Sequence, residues 1–388
     1  MMIRRSRYLA EIDAILENNP VCALLGPRQC GKTTLAREFI GGRADAHVFD
    51  LETTIGRARL AEPELALASL EGLVVIDEIQ REPRLFEVLR PIVDRVQTRL
   101  RFLILGSASP NLVRGTSESL AGRIGFVDLS GFDLAEVGAV NWKRHWIRGG
   151  FPRSYLAKSE GASLRWRRDF IRTLLERDMP QLGVRIPAES LRRFWMMLAH
   201  CHGQIWSGAE IARSLAVNEH TVRRYLGILM GSFLVRLLQP WSENISKRQY
   251  KAPKVYIRDS GILHAFLGLA RWEDLAGHPK LGASWEGYTL EQVLAIAPEA
   301  DAYFWRTHAG AELDLLLMLR GRRYGIEFKY SDAPSMTKSL RVALADLNLD
   351  QVWIIYPGSE RYRIHDKVEV IPLAYAAEIL GSACHLRP

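Results

Sequence analysis

At 388 residues, with 48% hydrophobic and 25% charged residues, the chain reads as two or three folded units and excludes a largely disordered protein. Its apolar runs fall far short of the roughly 20 residues a membrane helix needs, and its basic N-terminus MMIRRSRYLAEI meets Glu11, Asp13 and Glu17 where a secretion signal needs an apolar core. Cys22, Cys30, Cys201 and Cys384 form no Cys-x-x-Cys pair, which argues against a disulfide framework or zinc site and for a reducing cytoplasm, while a formal charge of +8 brings nucleic acid in as a partner to weigh.

From residue 1 to about 135, short apolar runs alternate with amphipathic stretches, as in a parallel sheet flanked by helices. Strands are expected at 21–25, 47–50, 73–77, 101–106 and 124–129, and helices at 6–17, 32–40, 63–69 and 85–97. The segment Gly26-Pro27-Arg28-Gln29-Cys30-Gly31-Lys32-Thr33-Thr34 follows the first strand and opens a helix, which is the P-loop pattern in its required context. Glycines let backbone N–H groups close around phosphate, the helix N-terminus adds positive potential, Lys32 reaches the terminal phosphates and Thr33 offers a hydroxyl to Mg²⁺.

The strand Leu73-Val74-Val75-Ile76-Asp77-Glu78 ends in two acids, Asp77 to complete the Mg²⁺ shell and Glu78 to polarise an attacking water. Because 47–50 intervenes, the strands leading to Lys32 and to Asp77 are expected not to be adjacent, as in ATPases with an inserted strand and a catalytic glutamate. Ser107, closing the next strand, is placed to sense the γ-phosphate or orient water, although a simple capping serine fits there equally well. Arg114 and Arg123 follow; Arg123 is the favoured arginine finger, a role often filled from a neighbouring subunit in a homo-oligomer, while a plain surface arginine fits as well and monomer, dimer and ring stay open.

Residues 141–180 carry ten Lys or Arg against four Asp or Glu, with Trp142, Trp146, Phe151, Tyr155, Trp166 and Phe170 interleaved. Gly149-Gly150-Phe151-Pro152 breaks a helix there, and 164–175 returns to helical spacing, with its arginines read as a solvated face. Between 189 and 241 come three helix candidates and a strand. Ser207 with Glu210 caps GAEIARSL as a capping box and Asn218 caps EHTVRRYLGILM. On the last helix Val222, Leu226 and Leu229 turn inward, leaving His220, Arg223 and Arg224 outward, as a DNA-reading helix would.

The last stretch pairs the helix SWEGYTLEQVLAIA with strands at 302–305, 313–319, 324–328 and 352–355. Glu286 lies on the helix, Asp314 early in a strand and Glu327-Phe328-Lys329 at the end of the next, after a turn at Arg320-Gly321-Arg322. Strand alternation puts Glu327 and Lys329 on one side. The set resembles the PD-(D/E)xK nuclease-like core, where carboxylates hold a divalent metal and a lysine orients the nucleophile. A second metal site of Glu286, Asp314 and Glu327 with Lys329, and a domain that kept the frame and lost cleavage, both remain open. His308 reads as a loop residue.

The order P-loop, VVIDEIQ, LILGSAS, SLAGR, GGFP, a winged helix, YIRDSGIL, WEGYTLEQVL, AELDLLL and GIEFKYS resembles that of prokaryotic AAA-type ATPases with a C-terminal domain of unknown function. The resemblance implies an α/β protein: an ATPase domain at 1–140 with a parallel sheet flanked by helices, a basic helical linker or lid at 141–188, a winged-helix region at 189–260, and a restriction-endonuclease-like α/β domain at 261–388. The expected function is Mg²⁺-dependent ATP hydrolysis coupled to a DNA-related task. The alternatives are an ATP-gated module that binds a protein partner beside an inactive nuclease-like domain, and an ATP-controlled DNA endonuclease.

Overall fold

The computed structural model describes residues 3–41, 43–95, 100–107, 120–242 and 251–385. By its contacts the chain divides into two units, residues 1–132 with 231–233, and residues 133–230 with 234–388. Apart from residues 231–233, the expected divisions 141–188, 189–260 and 261–388 fall within the second unit, where helices and a mixed sheet share one body of contacts.

Unit 1 is built on five parallel strands, Val21–Gly26 (β1), Ala46–Asp50 (β2), Gly72–Asp77 (β3), Leu100–Ser107 (β4) and Ile124–Asp128 (β5), in the order β2-β3-β4-β1-β5. Each forms where the sequence carries its apolar run. All six residues of β1 are buried, as a strand covered on both faces requires. Alternate residues Val21, Ala23 and Leu25 join Ile76, Ile104 and the helix Leu85–Val93 in one apolar core.

The strands that carry Lys32 and Asp77 are indeed not neighbours, for a different reason than chain order suggests. What separates β1 from β3 is β4, which comes later in the sequence, while β2 lies outside them at the edge. In a parallel sheet the crossover decides the neighbour: the β1-to-β2 connection passes over the positions that β3 and β4 later fill, and the β4-to-β5 connection passes over β1.

Unit 2 begins with helices. The helix Trp142–Arg148 stops at Gly149, whose φ of 75° suits glycine, and the next turn starts at Pro152. Phe151, Trp166 and Phe170 pack together, so the aromatic residues of the basic stretch include core residues. Arg167, expected on a solvated face, is fully buried and donates to the carbonyls of Ile147 (3.1 Å) and Gly261 (2.9 Å). A long side chain with five donors thus ties three segments together.

The helices Gly208–Leu215 and Glu219–Gly231 are joined through Ala216 in a left-handed conformation. The Ser207 hydroxyl accepts from the Glu210 N–H at 3.3 Å, and Asn218 Oδ1 from the Thr221 N–H at 2.7 Å. Val222, Leu226 and Leu229 are buried; His220, Arg223 and Arg224 are exposed. Gln204–Ile205 (β6), Val235–Pro240 (β7) and Lys254–Ile257 (β8) form a small antiparallel group around these helices.

That group does not end there. The strand Asp301–Arg306 (β9) pairs in parallel with β7, and Glu312–Leu319 (β10), Arg322–Phe328 (β11), Gln351–Tyr356 (β12), Tyr362–His365 (β13) and Val368–Pro372 (β14) complete a nine-stranded sheet ordered β13-β14-β12-β11-β10-β9-β7-β8-β6. The β10–β11 hairpin turns at Arg320 and Gly321, both with positive φ, which matches the twist of the two strands. Opposite β9, β10 carries one extra residue between Leu313 and Leu316, a bulge beside Asp314.

Candidate functional site

β1 delivers the chain into the loop 27–31, and the helix Lys32–Ile40 leaves it. Gly26 has no room for a Cβ, which would collide with the Leu129 carbonyl, and Gly31 has a φ of 104°. Both positions therefore need glycine. No side chain caps the helix at Gly31, which leaves its first N–H groups open toward the loop. The buried Lys32 ammonium donates to the carbonyls of Gly26 (2.9 Å) and Pro27 (3.0 Å), so the loop's own oxygens hold it where phosphate oxygens would.

Thr33 Oγ1 donates to Asp77 Oδ2 at 2.8 Å, and the Glu78 N–H donates to Asp77 Oδ1 at 2.9 Å. Burial pushes the Asp77 carboxyl up, with neighbouring Glu78 adding to the rise and the Thr33 bond opposing it. Glu78 itself sits at φ 57°, a left-handed conformation uncommon outside glycine, just past the end of β3. Its carboxylate accepts from Gln80 Nε2 and lies 3.8 Å from Arg28 of the phosphate loop. Arg28 also reaches Glu52 at 3.9 Å, and Arg81 approaches the same Glu52 oxygen at 3.4 Å.

Ser107 closes β4 directly beside Gly26 in the strand register. Its hydroxyl is buried and has no hydrogen-bond partner among the described residues, which sets it apart from a satisfied capping serine. Arg123 lies on the surface with its guanidinium on Asp94, one arm at 2.9 Å, and this bond holds the Asp94 carboxyl below its usual range. Arg114 lies outside the described residues. Sequence reasoning missed Arg5, which is buried and donates to the carbonyls of Cys30 (3.2 Å), Ser130 (3.1 Å) and Gly131 (3.0 Å), bracing the phosphate loop from behind. An arginine in a basic N-terminus gives no sign of such a role.

In unit 2, Glu286, Asp314, Glu327 and Lys329 come together. Lys329 Nζ lies 2.6 Å from Glu327 Oε2 and 3.7 Å from Asp314 Oδ2, and the Phe328 N–H donates to the same Asp314 oxygen at 3.0 Å. Three residues absent from the sequence reading complete the group. Lys254 and Tyr256 of β8 both donate to Glu286 Oε1, at 2.9 and 2.6 Å, and Lys254 also contacts Glu312 at 2.6 Å. Both pairs, Lys254 with Tyr256 and Glu312 with Asp314, stand two apart in their strands, a same-face spacing the sequence does contain.

Burial pushes the Glu327 carboxyl up, and nearby Asp314 adds to it, with Lys329 opposing. For Lys254, burial alone would lower the ammonium, yet Glu286 and its other anionic neighbours hold it well above its ordinary value. Among the described residues no group of three His, Cys, Asp or Glu side chains is arranged to hold a metal ion. The carboxylates converge on an ammonium instead.

The parallel sheet, the glycine-bounded loop and the Thr33–Asp77 contact define unit 1 as a P-loop ATPase-type domain, and residues 18–138 match the AAA domain family. Residues 140–273 and 281–376 match two domains of unknown function, DUF8612 and DUF4143. The chain belongs to the same family as the uncharacterized proteins Mb2031c of Mycobacterium bovis and Rv2008c of Mycobacterium tuberculosis, each 51% identical over 372 residues, 96% of this chain and 84% of the relative. Among solved structures, the Walker-type ATPase PABY2304 of Pyrococcus abyssi is similar at a TM-score of 0.48 and 17% identity, covering 69% of this chain and 96% of that one. No helix among the described residues is long and apolar enough to cross a membrane.

Proposed function

We propose that the protein hydrolyses ATP with Mg²⁺ at the loop Gly26–Thr34 and that this cycle serves a DNA-related task. The observation that carries the reading is the 2.8 Å bond from Thr33 to Asp77, which brings a hydroxyl and a carboxylate to the loop's edge with Glu78 next in sequence. Hydroxyl and carboxylate oxygens suit a hard divalent ion, so Thr33 and Asp77 would hold Mg²⁺. When bound, that ion offsets phosphate charge. Lys32 would exchange the loop carbonyls for phosphate oxygens, Glu78 would take a proton from the attacking water, and the unsatisfied Ser107 hydroxyl would orient that water or the γ-phosphate.

Arg123 would stabilise transferred charge in a neighbouring copy of the chain, after leaving Asp94. The DNA part rests on the exposed His220, Arg223 and Arg224 of the helix Glu219–Gly231, read as the outer face of a winged helix. Phosphate release from the native chain, Lys32→Ala and Glu78→Gln, each with and without duplex and branched DNA, tests the whole. Turnover in the native chain alone, raised by DNA, is expected; no native turnover overturns the enzymatic reading, and indifference to DNA overturns the coupling.

A second reading, an ATP-gated module that binds a protein partner, is supported by the carboxylate centre of unit 2, whose charges are already paired. Tight ATP binding without phosphate release, together with a stable protein complex, would favour it.

A further inference from the structure

The carboxylate centre of unit 2 has the residue types of a divalent metal site and a different occupant. Lys254 opens the strand β8, and its side chain is 3% exposed. Its Nζ lies 2.6 Å from Glu312 Oε1, 2.9 Å from Glu286 Oε1 and 3.9 Å from Asp314 Oδ1. One carboxylate comes from the helix Leu281–Ile296 and two from β10, so the convergence is built by the fold and not by a run of acids in sequence.

A divalent cation in such a frame needs free lone pairs on several of these oxygens at about 2.0–2.6 Å. One oxygen of each carboxylate is already engaged. Glu286 Oε1 accepts from both Lys254 and Tyr256, Asp314 Oδ2 accepts from the Phe328 N–H, and Glu327 Oε2 is held by Lys329. The second oxygen of Glu312 faces Arg306 at 3.5 Å. Opening a coordination sphere would require the Lys254 ammonium to withdraw from a dense, buried set of partners, and stripping one charge from a buried pair is strongly unfavourable. Glu312 and Asp314, two apart in β10, present their carboxylates from one face to the same ammonium.

We propose that Lys254 is the resident cation of this centre: its ammonium takes the place a divalent metal would take, so that unit 2 keeps the carboxylate frame as a charge-paired structural node that neither binds Mg²⁺ or Mn²⁺ there nor cleaves nucleic acid. The frame's ability to position β8, β10, β11 and the helix Leu281–Ile296 survives, because an ammonium satisfies carboxylates from several elements as a metal does. Among the described residues, hydrolytic chemistry then belongs to the phosphate loop.

The test uses the full chain carrying Asp77→Asn, which removes the carboxylate of the nucleotide site, titrated with Mn²⁺ and followed by the electron spin resonance of free Mn²⁺, with and without duplex DNA. No saturable site is expected. Adding Lys254→Met, which keeps the apolar stem and deletes the charge, is expected to create one saturable site, and adding Glu286→Gln to that variant is expected to abolish it again. A Mn²⁺ site in the protein with Lys254 intact that disappears on Glu286→Gln would overturn the proposal, as would a folded Lys254→Met variant that gains no site. Should Lys254→Met fail to fold, the lysine-containing protein decides alone: a Glu286-dependent site, or Mn²⁺-dependent DNA cleavage lost on Glu327→Gln, overturns the proposal, and the absence of both supports it.

Discussion

The Arg28 guanidinium and the Glu78 carboxylate face each other at 3.8 Å, so the loop that is to hold phosphate also holds the acid that is to activate water. A loose, partly exposed ion pair of this kind contributes about 0.2–1 kcal/mol. Arg28→Ala is therefore expected to change kcat/KM for ATP by less than about fivefold, whereas Glu78→Gln removes the proton acceptor and should lower kcat by about 10²–10⁴-fold with ATP binding retained. Steady-state phosphate release together with calorimetric ATP binding separates the two.

Thr33 and Asp77 share one hydrogen bond. Thr33→Ala leaves the buried Asp77 carboxylate with one partner fewer, a loss on the order of 1–2 kcal/mol. The expected result is an ATP affinity about 5–30-fold weaker in the presence of Mg²⁺, with little change when EDTA removes the ion. Equal weakening in both conditions would mean that Thr33 does not act through a metal.

Two motifs carried by the family resemblance pack on each other. Gly150 N–H donates to Asp259 Oδ2 at 2.8 Å, a Cβ at Gly149 would collide with the Asp259 carboxylate, and a Cβ at Gly261 would collide with the Arg148 carbonyl. GGFP and YIRDSGIL are thus two halves of one structural joint. Gly149→Ala and Gly261→Ala should each cost about 1–3 kcal/mol from overpacking alone, seen as a lower Tm, with nucleotide affinity unchanged.

Glu291 supplies a pH dependence of stability. Against burial, which alone would raise it, Arg236 and Arg258 hold its carboxyl down at about 2, with Arg258 Nε 3.1 Å away. A carboxyl depressed in the folded state contributes stability that is fully present above its unfolded value, near 4.3, and is lost as pH falls through the folded value. Glu291→Gln should therefore erase about 3 kcal/mol of stability at pH 7 and flatten the loss between about pH 4.5 and 2 in urea unfolding. Retention of the native acid profile in the variant would refute the assignment.

What could be read from the sequence follows the physics of burial. Strands β1, β3 and β4 were legible because each is a continuous apolar run, β2 and β5 from shorter mixed runs spaced between helix candidates, and Lys32, Thr33, Asp77 and Glu78 because the P-loop and acidic strand-end patterns fall at fixed places in that order. Neighbour order was not legible: nothing local in 101–106 says that it will lie between β1 and β3. Strands β6, β8, β13 and β14 escaped notice: β6 is two residues long and β13 half-exposed with no apolar alternation, while β8 and β14 are short buried runs that carry a charged residue each. Lys254 and Glu312 were invisible as site residues because a lone charge at a strand start reads as surface until its partners from other elements are known. Arg167 was misread for the same reason.

The pairing of Gln239 with Tyr303 and of Pro240 with Phe304 also bears on how this polypeptide can be divided. A cut anywhere between residues 241 and 300 would tear one ribbon of backbone, leaving raw borders at Val235–Pro240 on one piece and Asp301–Arg306 on the other, each free to stick to foreign strands. The two stretches therefore share one continuous sheet, and parting them exposes backbone on both sides of the seam.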